Sequence, residues 1–205
     1  MAAAFRTRSS IKTRASARLS VSKIRVKSGQ LPITLLCTTM IIRSEDPTDY
    51  LAITAVTEAA FLNAPHTDHN EQFIVTALRK AEALTISLVA EVDAVLVGHV
   101  AISPVSVGGA TNGWFGLGPM SVIPMWQGKG IGSMLMRKAL DMLTAQGASG
   151  CVVLGNPTYY KRFGFQNEPG LVLPGVPPEY FMAISFGRTM PRGVVAYNPA
   201  FEAKR

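Results

Sequence analysis

The feature that most constrains the fold is a stretch, residues 94–128, that contains no Asp, Glu, Lys or Arg. A stretch of this kind is buried either in a membrane or in a protein core. Glycine, proline and polar residues interrupt it so often that no apolar run of about 20 residues survives, and a membrane span needs that length. The pattern instead predicts successive strands that are buried on both faces of a sheet.

Hydrophobic periodicity predicts helices on both sides of this stretch. Apolar residues recur on one face over residues 130–145, and Gly147 lies just past the end of that segment. Asp46 and the proline after it mark the start of an earlier helix, and residues 70–83 form a second one. The predicted strands are residues 40–43, 85–91, 95–107, 114–123, 151–154, 181–186 and 194–197.

Positive charge is concentrated in the first 39 residues, which carry eight of the twenty Lys and Arg residues and no acid. Residues 40–205 carry twelve basic and thirteen acidic residues, so we expect no nucleic-acid binding by that part. The chain therefore divides into a basic N-terminal extension, 1–39, and a folded domain, 40–205. The extension is interpreted as disordered, as a targeting segment, or as the product of a start codon assigned upstream of Met40.

The two cysteines show no metal-ligand spacing with each other or with the three histidines, so we predict no metal site. Cys151 lies in an apolar run and is typical of a small buried side chain. A reducing compartment, the cytoplasm, is the simplest interpretation, and no membrane association is expected.

A glycine-rich turn, Gln-Gly-Lys-Gly-Ile-Gly at residues 127–132, joins the last strand of the uncharged stretch to the following helix. Alternating glycines leave the backbone free of side chains, so a ligand can approach it closely. The first N–H groups of a helix lack intrahelical acceptors, and the helix dipole places partial positive charge there. The turn is therefore a candidate pyrophosphate site, with Lys129 supplying a full charge nearby.

Other glycine-rich phosphate motifs fit this turn less well. A Walker A loop needs Ser or Thr after its Lys, but Gly130 follows Lys129 here. The dinucleotide fingerprint needs a glycine where Ser133 stands, and an acid after the next strand, which ends in Gly155 and Asn156. On these residues alone, a turn that binds no ligand is the alternative.

The sequence Val-x-Pro-x-x-Gln-x-x-Gly-x-Gly at residues 122–132 resembles the acetyl-CoA signature of the GCN5-related N-acetyltransferase (GNAT) family. Residues 155–165 resemble the second motif of that family, in which a tyrosine, Tyr160 here, lies four residues before a Gly-Phe pair. Residues 197–201, Tyr-Asn-Pro-Ala-Phe, resemble its YhbS-like bacterial subgroup. The resemblance covers about residues 40–201, essentially the whole folded part.

The resemblance implies the acyl-CoA N-acyltransferase fold, an α/β (α+β) architecture. Its mixed, mostly antiparallel central sheet has splayed central strands and is flanked by helices. Gly118 and Pro119 support the splay independently, because proline cannot donate to the ladder and a bulge is expected there. Beyond that bulge, the backbone of Met120 and Val122 is expected to pair with the amide-bearing arm of the cofactor, as an added strand does.

The implied function is transfer of an acetyl group from acetyl-CoA, the cosubstrate, to a primary amine by direct attack. A non-catalytic acyl-CoA-binding module is the alternative. The resemblance implies that the Met120 N–H stabilises the oxyanion and that Tyr160 is the general acid, with aromatic packing as the alternative for Tyr160. Tyr159 is interpreted as a packing residue. The implied cofactor contacts are Met120, Ser121, Val122, Gln127, Gly128, Lys129, Gly130, Ile131, Gly132, Ser133 and Asn156, the last with helix capping as an equal alternative.

The sequence does not identify the general base. Residues 114–123 contain no acid, whereas some members of that family carry a Glu on this strand. His99 can titrate near neutrality, although a lone histidine in a strand is more often a hydrogen-bonded structural residue. Asp68, His69 and Glu71 lie where the family builds its substrate entrance, and a solvated loop explains them equally well. The acceptor is either a small-molecule amine or a protein amino group, and the oligomeric state is not predicted.

Overall fold

The computed structural model describes residues 39–65, 67–187 and 189–204, so nearly all of the predicted N-terminal extension lies outside the described residues. The strands are β1 Met40–Ser44, β2 Ile86–Val92, β3 Val95–Pro104, β4 Ser106–Val107, β5 Trp114–Val122, β6 Gly150–Leu154, β7 Leu171–Val172, β8 Phe181–Ser185 and β9 Gly193–Ala196. The helices are α1 Tyr50–Phe61, α2 Glu71–Lys80, α3 Ile131–Ala145 and the short α4 Pro157–Tyr160. Within these ranges, no helix combines the length and the apolarity that crossing a membrane requires.

Six strands form the central sheet in the order β1-β2-β3-β5-β6-β8. Every neighbouring pair is antiparallel except β5 and β6, which run parallel. The mixed, mostly antiparallel sheet implied by the resemblance is therefore confirmed. The predicted strand 95–107 divides after Pro104: the Val105 N–H still donates to the Trp114 carbonyl at 3.0 Å, but the residues after it leave the central sheet. The residues after it, β4, join a small second sheet with β9 and β7.

Alternation along the strands separates the two faces of the central sheet. Val100 and Ile102 belong to the large core cluster that α3 covers with Leu135 and Leu143, and all four side chains are fully buried. On the opposite face, β3 presents His99 and other residues to α1. The longest strand of the uncharged stretch, β3, is thus buried on both faces, as predicted.

The ends of the first two long helices follow local chemistry. Asp46 caps a 3-10 turn, Pro47–Asp49, that leads directly into α1; its carboxylate accepts from the Thr48 N–H at 3.0 Å. The predicted helix 70–83 is shorter, Glu71–Lys80, because the chain enters the left-handed region at Glu82, where φ is 52°. The predicted helix start at Asp46 is therefore confirmed, and the predicted end of α2 was wrong by three residues.

The central strands separate at the predicted position. Pairing of β5 with β6 ends at Leu117, opposite Val153. On the other side, Ile102 is opposite Leu117 whereas Val100 is opposite Met120, so β5 carries one extra residue at Gly118–Pro119. Beyond this bulge, β5 has β3 on one edge and no paired strand among the described residues on the other.

Candidate active site

An open cleft of about 390 Å³ lies beside the part of β5 that has separated from β6. One wall is formed by Met120 and Val122 of β5, and another by the glycine-rich turn and the first residues of α3. Tyr159 and Arg162, from α4 and the turn after it, close a third side. The cleft therefore joins the strand edge and the helix terminus that the sequence singled out.

Six consecutive backbone N–H groups, those of residues 128–133, have no hydrogen-bond acceptor among the described residues. The first intrahelical bond of α3 runs from the Met134 N–H to the Gly130 carbonyl at 3.1 Å. Gln127 does not belong to this set, because its N–H closes the preceding 3-10 turn on the Pro124 carbonyl at 3.2 Å. The predicted run of unpaired amides, 127–132, is thus corrected to 128–133.

Two of the glycines hold the turn in a conformation that other residues rarely adopt. Gly128 has φ of 73° and Gly130 has φ of 86°, both in the left-handed region. Gly130 is also the N-cap of α3, so this conformation directs the amides that follow into the cleft. Gly132 serves packing instead, since a Cβ there would lie 2.8 Å from the Tyr159 hydroxyl oxygen.

The free edge of β5 presents backbone groups to the cleft. The Ile123 N–H donates to the Val97 carbonyl at 3.0 Å, and hydrogen-bonded pairs alternate along an antiparallel ladder. Ser121 therefore bonds to β3, whereas Met120 and Val122 direct their N–H and carbonyl groups to the open edge. The Val122 carbonyl already accepts from the Gln127 side-chain amide at 2.9 Å. Gln127 thus ties the glycine turn to the strand.

Ser121 differs from its neighbours on β5. Its side chain is 1% exposed, and its hydroxyl donates to the Thr57 hydroxyl of α1 at 3.3 Å. Both its backbone and its side chain are therefore directed away from the free edge of β5.

Tyr159 contacts the cleft as well as the aromatic cluster. Its ring packs against Tyr160 and Phe163, with centroids 5.0 and 5.4 Å away, as a packing residue should. Its hydroxyl oxygen, however, is buried over the first turn of α3, beside the Ser133 side chain. Burial raises the pKa of Tyr159, so the phenol is neutral at pH 7.

Arg162 is a cationic lining residue that the sequence analysis missed. Its guanidinium lies 4.5 Å from the Tyr159 ring centroid, and its Nε donates to the Tyr159 carbonyl at 3.1 Å. The terminal amino groups have no hydrogen-bond partner in the described ranges. A basic residue shortly after the motif tyrosine was the available signal, but only the fold brings it to the cleft.

Tyr160 lies behind Tyr159, at the end of β6. Its ring covers Gly155, where a Cβ would approach Cε2 to 2.5 Å, and it meets Phe165 edge-on. Burial raises the pKa of Tyr160, which keeps its proton available for transfer. Asn156 caps α4, accepting from the Thr158 N–H at 2.9 Å; its side-chain NH2 is not engaged by any described residue.

Three further residues that the sequence singled out, Lys129, Asp68 and Glu71, lie in two other environments. The Lys129 ammonium lies 4.3 Å from the ring centroid of half-buried Trp126, on an exposed side chain that is not tied by an ion pair in the described residues. Asp68 and Glu71 do not line the cleft. They line a different pocket of about 220 Å³ between the start of α2 and the residues around Phe201.

Known proteins share both the sequence pattern and the fold of this chain. Residues 84–167 match the acetyltransferase (GNAT) domain family. The uncharacterized N-acetyltransferase YhbS of Escherichia coli K12 is 37% identical over 128 residues, which are 62% of this chain and 74% of YhbS.

Two solved structures are similar over nearly their whole length. A GNAT family acetyltransferase from Brucella melitensis in complex with acetyl-CoA is 50% identical, with a TM-score of 0.72 over 80% of this chain and 98% of its own. E. coli YhbS in complex with CoA is 31% identical, with a TM-score of 0.75 over 83% of this chain and 96% of its own.

Proposed function

Since the chain belongs to the GNAT family of N-acetyltransferases, we propose that this cleft binds acetyl-CoA and that acetyl transfer to a primary amine takes place at the split between β5 and β6. One observation carries the assignment: six consecutive amides, 128–133, lie at the N-terminus of α3 inside an open cleft and have no acceptor within the part of the chain that the structure describes. Such amides and the helix dipole favour a diphosphate. Acetyl-CoA supplies that diphosphate and the activated acetyl group.

The residues around the diphosphate fit the rest of such a ligand. The open edge of β5 offers backbone groups of Met120 and Val122 for a pantetheine arm, which carries amides of its own. Lys129 and Arg162 add positive charge at the rim of the turn, and the Asn156 side-chain NH2 is a further donor. Ser121 has no exposed donor, so in this proposal it acts only by holding the strand.

Two groups of this protein are proposed to take part in catalysis, one as the oxyanion donor and one as the general acid. The Met120 N–H, directed to the open edge, stabilises the oxyanion that develops when an amine adds to the thioester carbonyl. Tyr160, neutral and close to the end of β6, donates its proton to the departing thiolate. The site then contains a general acid and a hydrogen-bond donor for the oxyanion.

The acceptor is proposed to be a primary amine of a small molecule or of a protein. Acetyl transfer is proposed to reside in residues 40–205 and to take place in the cytoplasm. Cys151, the one cysteine within the described ranges, is a buried thiol, which fits a reducing compartment.

Isothermal calorimetry with CoA tests the diphosphate site. Gly130→Asp places a carboxylate at the mouth of α3, and we expect affinity to fall at least tenfold through charge repulsion and lost access to the amides. Gly147→Asp is the matched control: Gly147 also has a left-handed backbone, φ 74°, and open space around a Cβ, but it follows the C-terminus of α3. Equal affinity of the two variants for CoA would refute the proposed site.

A further inference from the structure

A buried chain of polar groups crosses the face of the central sheet that α1 and α2 cover. The His99 Nε2 atom lies 2.8 Å from the Ser87 hydroxyl, and that hydroxyl donates to the Glu45 carboxylate at 2.6 Å. Arg79 of α2 then binds the same carboxylate through two hydrogen bonds, at 2.9 and 2.8 Å. The chain thus runs from the interior of the sheet to a partly exposed ion pair.

The tautomer of His99 follows from which donors and acceptors these hydrogen bonds contain. A serine hydroxyl has one proton, and the proton of Ser87 is given to Glu45, since an ionised carboxylate can only accept. Ser87 can therefore only accept from His99, which places the imidazole proton on Nε2. The Nδ1 atom of the neutral ring then carries an unshared electron pair.

That electron pair has no partner among the described residues. His99 is 0% exposed, and its Nδ1 is a buried polar atom without a hydrogen bond. A buried acceptor of this kind normally binds an ordered water or the N–H of a ligand. Burial lowers the pKa of His99 to about 4 although nearby Glu45 opposes the shift, so the ring is a neutral acceptor at pH 7.

His99 lies one strand away from the proposed reacting centre. It is directly opposite Ser121, and side chains of directly opposed residues share a face with Cβ atoms about 5 Å apart. Ser121 follows Met120, whose N–H is the proposed oxyanion donor. The imidazole therefore stands beside the segment of β5 on which an acceptor nitrogen has to arrive.

We propose that Nδ1 of His99 receives, through one bound water, the proton that the acceptor nitrogen loses during acetyl transfer. This inference rests on the proposed function and supplies the base that the sequence left unidentified. Ser87 and Glu45 are positioning residues, since they act through His99.

As the nitrogen–carbon bond forms, the nitrogen gives a proton to the water, and the water gives one to Nδ1, so that the ring becomes an imidazolium. Its Nε2 proton stays on the hydrogen bond to Ser87, and the Glu45 carboxylate stabilises the positive charge. The carbon–sulfur bond breaks, and the thiolate takes the Tyr160 proton. Nδ1 then returns its proton through the water to solvent, and the Tyr160 phenolate takes a proton from solvent, which restores both groups for the next turnover.

Few other charges face the imidazole. Glu45 lies 3.8 Å from Nε2, and Arg79 stands on the far side of that carboxylate. The Arg43–Asp49 ion pair is two strands away, with Val89 between it and His99. From α1 and β5, the neighbouring groups are the neutral hydroxyls of Thr57 and Ser121. Among the described residues, only Glu45 and Arg79 therefore act directly on the pKa of the ring.

The test compares His99→Gln, Ser87→Ala and Ser87→Thr with the full-length wild-type chain. The acceptor is the member of a panel (spermidine, tyramine, benzylamine and lysine methyl ester) that releases free CoA from acetyl-CoA fastest. Ser103→Ala is the matched control. It removes another fully buried hydroxyl from the same face of β3, but it leaves the hydrogen bonds that connect His99, Ser87 and Glu45 in place. Long-range proton–nitrogen NMR spectra of the protein without ligands report which His99 nitrogen carries the proton.

We expect His99→Gln to lower kcat by about 100-fold near pH 7, within the range typical of general-base removal, with CoA affinity changed less than threefold. Its kcat should rise tenfold per pH unit as hydroxide replaces the base, whereas wild-type kcat levels off. Ser87→Ala should show the same trend more weakly, and Ser87→Thr and Ser103→Ala should behave as wild type. The NMR spectra should show a proton on Nε2 only.

Parallel pH profiles for wild type and His99→Gln, or a proton on Nδ1, would overturn the relay while leaving acetyl transfer intact. No release of CoA by the wild-type protein with any amine of the panel would overturn the proposed function and the relay together.

Discussion

Protonation of His99 is expected to couple the stability of this domain to pH. The imidazole is 0% exposed, and burial lowers its pKa from the ordinary 6.5 to about 4. Because the unfolded chain binds the proton at a higher pH than the folded one, stability is lost as pH falls from about 6.5 to about 4. The full effect of such a shift is about 3 kcal/mol, and about 2 kcal/mol of it falls between pH 7 and pH 5.

The experiment is urea denaturation of wild type and His99→Gln at pH 7 and pH 5 and equal ionic strength. We expect the free energy of unfolding of the wild type to fall by about 2 kcal/mol more than that of the variant over this interval. The carboxylates of Glu45 and Asp49, whose pKa values are lowered by their hydrogen-bonded arginines, titrate below this interval and are common to both proteins. His69→Gln, at an exposed position, controls for the loss of a histidine as such.

Equal losses in wild type and His99→Gln would refute the reasoning, because they would mean that the folded protein accepts the proton at His99 as readily as the unfolded chain. A greater loss in the variant would contradict it in sign.

Three other perturbations probe separate parts of the molecule. Tyr160→Phe should lower kcat by about 100-fold with CoA affinity within twofold of wild type, as steady-state kinetics and calorimetry would show; an unchanged kcat removes the acid role. Arg162→Gln should weaken CoA binding by about tenfold and reduce its salt dependence, whereas Lys138→Gln on α3, outside the cleft lining, should change neither. Gly116→Ala should lower the free energy of unfolding by about 1–3 kcal/mol, since its Cβ would lie 2.3 Å from the Tyr197 ring; unaltered urea midpoints would contradict this contact.

The elements whose local sequence decides their structure were predictable. Glycines 128 and 130 define a left-handed turn into an amphipathic helix, and Pro119 interrupts a central strand; both effects depend on backbone chemistry that single residues dictate. The length of the unpaired amide run was not predictable to the residue. It depends on whether the preceding 3-10 turn closes on Pro124.

Features that depend on contacts between distant segments could not be predicted from the sequence. The chain of His99, Ser87 and Glu45 joins three separate segments, and nothing in any one segment marks it. Arg162 becomes a cleft residue only because α4 folds back over the start of α3. The second sheet was missed because two of its three strands, β4 and β7, have only two residues and are too short to show a hydrophobic period.

The proposed cofactor site depends most directly on the amides of residues 128–133. The decisive measurement is a proton–nitrogen correlation spectrum of the labelled full-length chain titrated with CoA. If these amides bind the diphosphate, their six signals should move most, and their shifts should saturate with one common dissociation constant. Saturable CoA binding that leaves all six signals in place, or the absence of any CoA binding, would contradict it.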